Sequence, residues 1–167
     1  MTYAPVERHH TATAYVVAGE RTLLLWHAKL HMWLPPGGHL EPNEDPVQGA
    51  IREALEESGL PVEVIPPPGL FVVERPAVLP PPAVILVEDI VRPDQPFHQH
   101  IDHVYFTRAL APVDFSAPVP HGQHHWFAAA DLAGAFSLPA PDGTLVPVAE
   151  DVRLLGLQAL IAAAREP

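Results

Sequence analysis

Three glutamates, Glu53, Glu56 and Glu57, crowd into one short stretch directly after Arg52. Carboxylate oxygens are hard ligands suited to Mg²⁺ or Mn²⁺, and a bound divalent cation can polarise an oxygen and orient a leaving group. Without a counter-charge the grouping is unfavourable, since like charges one helical turn apart cost roughly 0.2–0.5 kcal/mol per pair. Arg52 can reach Glu56 one turn on and offset part of this; a divalent cation would offset more. An isolated Glu-Glu pair is an ordinary solvated helix surface. Here it stands in a longer pattern: Gly38, five residues, Glu44, seven residues, then Arg52-Glu53-Ala54-Leu55-Glu56-Glu57-Ser58-Gly59-Leu60.

The element that must carry these groups is a helix with legible ends. Asp45 is a natural N-cap, Pro46 suits the first helical position, and Gln48 is placed to complete a capping box. Gly59 marks the stop, because the left-handed residue just past a helix is most readily glycine. At about 100° per residue, Val47, Ala50, Ile51, Ala54 and Leu55 fall on a packing face, and Arg52, Glu53, Glu56 and Glu57 on the opposite one. Upstream, Trp33-Leu34-Pro35-Pro36-Gly37-Gly38 reads as a turn that delivers the chain to this helix.

The spaced pattern resembles the Nudix box of the Nudix hydrolases: Gly, five residues, Glu, seven residues, Arg-Glu, an aliphatic, any residue, Glu-Glu, any residue, Gly, an aliphatic. All seven invariant positions match over residues 38–60, and at an average usage near 7% for each residue type the chance for a given window is on the order of 10⁻⁸. The resemblance implies a Mg²⁺- or Mn²⁺-dependent hydrolase of a nucleoside diphosphate linked to a further group, a small-molecule nucleotide-type substrate. It implies Glu56 and Glu57 as principal metal ligands, Glu53 as ligand or general base, and the carbonyl of Gly37 as a further ligand. By the same resemblance Arg52 holds the glutamates, while Glu44 and Gly38 support the box. Many relatives carry a glutamate two residues before the tryptophan of a later segment; here His124 holds that place, ahead of Trp126, which leaves base and ligand duties to the box. Nudix-like domains also serve as non-catalytic nucleotide-sensing or interaction modules. These typically lose box carboxylates or gain a DNA-binding domain, and neither is seen here.

Composition sets outer bounds. A length of 167 residues with 48% hydrophobic content is enough for a single domain, residues 1–167, with a real core. The net charge of −11 and the single lysine, Lys29, argue against a nucleic-acid backbone or an anionic membrane as partner. Zero cysteines exclude disulfides, thiolate zinc sites and a Cys nucleophile. The first residues lack a basic and then apolar leader, and no apolar run approaches membrane-spanning length. A soluble cytoplasmic protein, monomer or homodimer, is expected.

Residues 11–17 and 21–26 read as strands joined by a Gly19-Glu20 turn. Residues 62–73, interrupted by Pro66-Pro67-Pro68, read as two short strands or a strand with a bulge. Further strands are expected at 84–87, 101–106 and 124–127, the last of the set, and a closing helix at 148–164 with Val152, Leu155, Ala159 and Leu160 inward. Strands bracketing two helices fit an α/β/α sandwich around a mixed sheet.

Eleven histidines raise a transition-metal question. His98 and His100 share a face if their strand begins early enough, with His103 on the other, and His121, His124 and His125 cluster near the last strand; scattered histidines are more often solvated than ligands. Phe71, Phe97, Tyr105 and Trp126 are candidates to stack a base against the alternative of core packing. Pro76, 16 residues after Leu60, resembles a marker of ADP-ribose pyrophosphatases, in a stretch dense with prolines. A nucleoside triphosphate is an equally good substrate candidate.

Overall fold

The structure is a computed structural model describing residues 6–73 and 75–165. Chain order gives β1 (Arg8–Ala18), β2 (Arg21–His27), β3 (Met32–Leu34), β4 (Gly37–His39), α1 (Pro46–Ser58), β5 (Val62–Val64), β6 (Val84–Ile90), β7 (His98–Ala109), β8 (His124–Ala128), α2 (Ala129–Leu132), β9 (Ser137–Pro139), β10 (Leu145–Pro147) and α3 (Glu150–Ala163).

Eight strands form one mixed sheet running β3-β2-β1-β7-β5, with β4 on β1, β6 on β7 and β8 on β2. The central pair β1–β7 is parallel, from Arg8 opposite Gln99 to Val17 opposite Arg108, and the other pairings are antiparallel. Alternation along β1 divides the core. Ala12, Ala14 and Val16 face α1, with Ala50 and Ala54 fully buried between helix and sheet. Tyr15 and Val17 face α3, where Val152, Ala159 and Leu160 pack. Small residues on the α1 side let the helix axis approach the sheet closely, so the carboxylates on its flank meet the β4 backbone. Helices on both faces of a mixed sheet make the expected α/β/α sandwich.

The α1 ends form as read. Asp45 accepts the backbone N–H groups of Val47 and Gln48 at 2.9 and 3.0 Å, and the Gln48 side chain accepts from the Asp45 N–H at 3.0 Å. Gly59, at φ 73°, closes the helix by donating to the Leu55 carbonyl.

Four readings need correction. Leu55 is not on the packing face but 49% exposed, because the buried stripe is narrow and centred on Ala50 and Ala54. In the stretch 62–73 only β5 forms; among the described residues no strand lies between Val64 and Val84, since three consecutive prolines supply no N–H to a ladder. The strand at β8 is not the last, for β9 and β10 pair beyond it across a Pro141-Asp142-Gly143 turn in which Gly143 sits at φ 85°. Finally, β3 and β4 occupy the approach to the box, where a turn alone was expected. Among the described residues no helix is long and apolar enough to cross a membrane.

Candidate active site

The box residues converge where α1 lies against β4. Arg52 is the hub. Its Nε and Nη2 pair with the two oxygens of Glu44 at 2.8 and 2.9 Å, its Nη1 meets Glu53 at 2.7 Å, and its Nη2 also donates to the His39 carbonyl at 3.0 Å. Glu56, expected as its partner one turn on, is at 3.4 Å and remains 58% exposed. Arg52 therefore binds chiefly Glu44 and Glu53, and Glu56 is the least restrained of the three carboxylates. Two-pronged binding of this kind is the strongest use of a guanidinium. It holds the Glu44 carboxyl below the usual carboxylate range and raises the already high Arg52 pKa further. Glu44 in turn accepts the Glu41 N–H at 2.9 Å, bracing the loop that leads into α1.

Gly38 lies against the Glu53 carboxylate so closely that a Cβ there would overlap it. This close approach, rather than a left-handed backbone, is why glycine is required. One residue earlier, the Gly37 N–H donates to Glu57 Oε2 at 3.2 Å. The other oxygen of Glu57 lies 3.0 Å from Nδ1 of His121, whose backbone N–H donates to the Glu57 carbonyl at 3.1 Å. Burial pushes the Glu57 carboxyl up, while the His121 charge and the Gly37 N–H pull it back.

Glu57, Gly37, Gly38 and His121 line a cavity of about 540 Å³. Glu53 lies behind Gly38 and Glu56 on the solvent side, so Glu57 is the box carboxylate that faces this space. Lys29, Arg92 and the histidines His9, His27, His39, His98 and His100 also line it, together with Glu88, Asp102 and Asp151, so these walls are imidazole-rich and mixed in charge. Burial and the surrounding histidines push the His100 imidazole down to about 4, and His39 is lowered in the same way.

Glu53 and Glu57 lie against the Gly37-Gly38 strand and Glu56 stands on the solvent side; with the Gly37 carbonyl they make a donor set of oxygens alone. Its chemistry fits a hard divalent cation.

From the loop before β8, the residue that reaches the box is His121, three positions before His124, which holds the place of a relative's glutamate. His124 sits on the α1 face of β8 opposite Leu25, with its Nδ1 3.2 Å from the Gly122 carbonyl. Of the aromatic candidates, Tyr105 is core and Trp126 packs beside it, with Phe115 edge-on at 5.1 Å. Phe71 and Phe97 are exposed, at 79% and 49%, and Pro76 lies on the exposed loop after β5. Sequence reasoning passed over His9 and His39. Their signal was weak: His9 sits at the start of a strand and His39 directly follows the two glycines.

A family model for the NUDIX domain matches residues 7–165. Among curated proteins, m7GpppN-mRNA hydrolase NUDT17 of Bos taurus is 57% identical over 30 residues, 18% of this chain and 10% of that protein. Asymmetrical bis(5'-nucleosyl)-tetraphosphatase of Sus scrofa is 52% identical over 31 residues, 19% of this chain and 21% of that protein. The chain thus aligns with about a tenth to a fifth of the length of these relatives. Among solved structures, a NUDIX-family hydrolase from Clostridium perfringens superposes with a TM-score of 0.67 at 26% identity, over 95% of this chain and 99% of that one. An Ap4A hydrolase of C. elegans shares the fold, at a TM-score of 0.52 and 19% identity over 93% of this chain and 95% of that one. The family match takes in every strand and helix described above, and the chain therefore belongs to the NUDIX domain family.

Proposed function

We propose that this chain is a pyrophosphohydrolase that cleaves a phosphoanhydride bond in a nucleoside diphosphate-linked substrate and depends on Mg²⁺ or Mn²⁺. The observation that carries the reading is the meeting of Glu53 and Glu57 with Gly37 and Gly38 at the edge of a cavity whose other walls carry Lys29, Arg92 and five histidines besides His121, along with Glu88, Asp102 and Asp151. A volume of about 540 Å³ falls in the range of sites that enclose a drug-sized ligand, which suits a nucleotide.

Glu56, Glu57, Glu53 and the Gly37 carbonyl would hold the cation. When bound, it supplies charge neutralisation at the phosphoryl oxygens and activation of the attacking water. The protein's own share is positioning and charge. Arg52 locks Glu44 and Glu53 into one rigid unit, so the helix flank presents its oxygens without rearrangement. His121 and the Gly37 N–H orient both oxygens of Glu57 and favour its ionised form despite burial. Lys29 and Arg92 supply positive charge toward an anionic substrate that the protein's net charge would otherwise repel. Retention of every box carboxylate supports turnover over a purely sensing role.

ADP-ribose, nucleoside triphosphates and dinucleoside tetraphosphates are the substrate classes to compare. A panel of all three, assayed with Mg²⁺ and with Mn²⁺ and scored for released mononucleotide, phosphate and pyrophosphate, tests the reading. Metal-dependent cleavage of at least one class is expected; no cleavage of any of them by folded protein would overturn it.

A further inference from the structure

On the α3 side of the sheet, parallel pairing sets His9 of β1 directly beside His100 of β7, and the period of two puts His98 on the same face as His100. Strand β7 does begin early enough for this, and His103 turns to the other face, stacking on His10 at 5.3 Å. One ring nitrogen from each of His9, His98 and His100 lies within 4.8 Å of the others. The ring of His39 follows, 4.8 Å from His100 and 5.4 Å from His9.

The hydrogen bonds around this trio are those of prepared ligands. Nδ1 of His98 faces the Pro96 carbonyl at 3.0 Å. A carbonyl only accepts, so this nitrogen carries the proton and Nε2 is left bare. Nε2 of His9 faces the Glu7 carboxylate at 3.0 Å, which accepts its proton and makes Nδ1 the ligating nitrogen of the neutral ring. Nε2 of His100 is buried with no hydrogen-bond partner among the described residues, a state that calls for an explanation such as an ion. Fixing the distal nitrogen with a carbonyl or carboxylate is the usual way a protein orients a ligating imidazole.

We propose that His9, His98 and His100 form a second metal site, separate from the box carboxylates, for a borderline divalent ion of the Zn²⁺ class. Imidazole nitrogens suit such ions and not Mg²⁺. Tetrahedral bonds of roughly 2.0–2.1 Å require nitrogens about 3.4 Å apart, so ring rotation of modest size closes the site around the ion. Three protein ligands leave the fourth position open, and the cavity these residues share with Glu57 is where water or a phosphoryl oxygen would enter. The inference does not depend on the hydrolase reading.

The test is binding of Zn²⁺ to the full, untagged chain by competition with a chelator of known affinity, with Co²⁺ absorption reporting nitrogen coordination. One equivalent is expected. His9→Ala and His100→Ala should each weaken it by more than the roughly 10–100-fold that loss of an outer-shell partner costs, Glu7→Gln should fall within that range, and Glu57→Gln should leave binding unchanged. His9, whose side chain is 37% exposed, gives a variant that keeps its fold even if His100→Ala does not. Absence of stoichiometric binding would overturn the proposal. So would equal affinity in His9→Ala, which would place the ion among other surface histidines, or loss confined to Glu57→Gln, which would place it at the box.

Discussion

On the carboxylate side of the cavity, Glu53, Glu56 and Glu57 come from one helix with Glu57 facing the space, and two of them are held by charge-assisted bonds from Arg52, His121 and the Gly37 N–H. At the histidine wall, His9, His98 and His100 come from two strands; His9 and His98 are oriented by Glu7 and the Pro96 carbonyl, and Nε2 of His100 is buried without a partner among the described residues. An ionised oxygen must be partnered even before a ligand arrives, because an unpaired charge in a half-buried place is costly. A bare lone pair on a neutral imidazole costs less than an unpaired charge, and at the buried Nε2 of His100 that smaller cost is what an ion would relieve. The two walls differ accordingly in what disturbs them: charge removal at the first, loss of orientation at the second.

Chelation and Glu57→Gln attack the first wall most directly. Exhaustive removal of divalent ions should take turnover to background, with recovery on adding Mg²⁺ or Mn²⁺. Glu57→Gln should lower kcat by at least as much as the roughly 10²–10⁴-fold that loss of a general acid or base costs, with the circular dichroism spectrum kept. Full activity after chelation would break the comparison at its root.

Gly38→Ala tests close approach in place of charge. The added methyl runs into the Glu53 carboxylate, so activity should fall nearly as far as in Glu53→Gln although no ionisable group has changed. If Gly38→Ala retains most of its kcat, Glu53 does not need its observed position.

His121 and His124 provide an internal contrast within one loop and strand. His121→Ala removes the partner of Glu57 and should cost about 10–100-fold, as other outer-shell losses do, with the pH–rate profile displaced toward higher pH because Glu57 becomes harder to ionise. His124→Ala should change kcat/KM by much less. Reversed severities would make His124, and not His121, the functional residue of this segment.

The smallest effect is one of stability. Arg52 lowers the folded pKa of Glu44 below its ordinary value of 4.5, so the pair stabilises the fold above that pH and the benefit is lost as pH falls through the lower folded value. Glu44→Gln should melt a few degrees below the parent at pH 7, and the gap should narrow in acid. A gap independent of pH would mean that Glu44 acts through packing alone.

How legible each wall was in the sequence follows from the range of its contacts. Asp45, Pro46, Gln48 and Gly59 specify α1 through neighbours within one or two turns, so both ends and the carboxylate flank could be read directly. The strands β1, β2, β6, β7 and β8 showed through alternation or β-branched runs. Three-residue strands such as β3, β4, β9 and β10 hold too few positions for any period to register, although the Pro-Asp-Gly turn between the last two was available as a signal. Leu55 was misplaced because ideal periodicity gives an angle, not the width of the buried stripe. The histidine trio was beyond reach. It exists only through the β1–β7 register, which no local pattern encodes, and the approach of His121 to Glu57 is likewise a contact between residues far apart in the chain.

That register also bears on the order in which the molecule can assemble. Thr11 and Asp102, bonded at 2.9 Å in the centre of the sheet, are 91 positions apart, and the ten-residue parallel ladder around them must close a loop of that length before it gains any contact energy. Non-local strand pairing of this kind is slow relative to local helix formation. In a refolding experiment, amides of α1 should therefore gain protection early, and those of β1 and β7 together and late, with the cavity closing only at that last step.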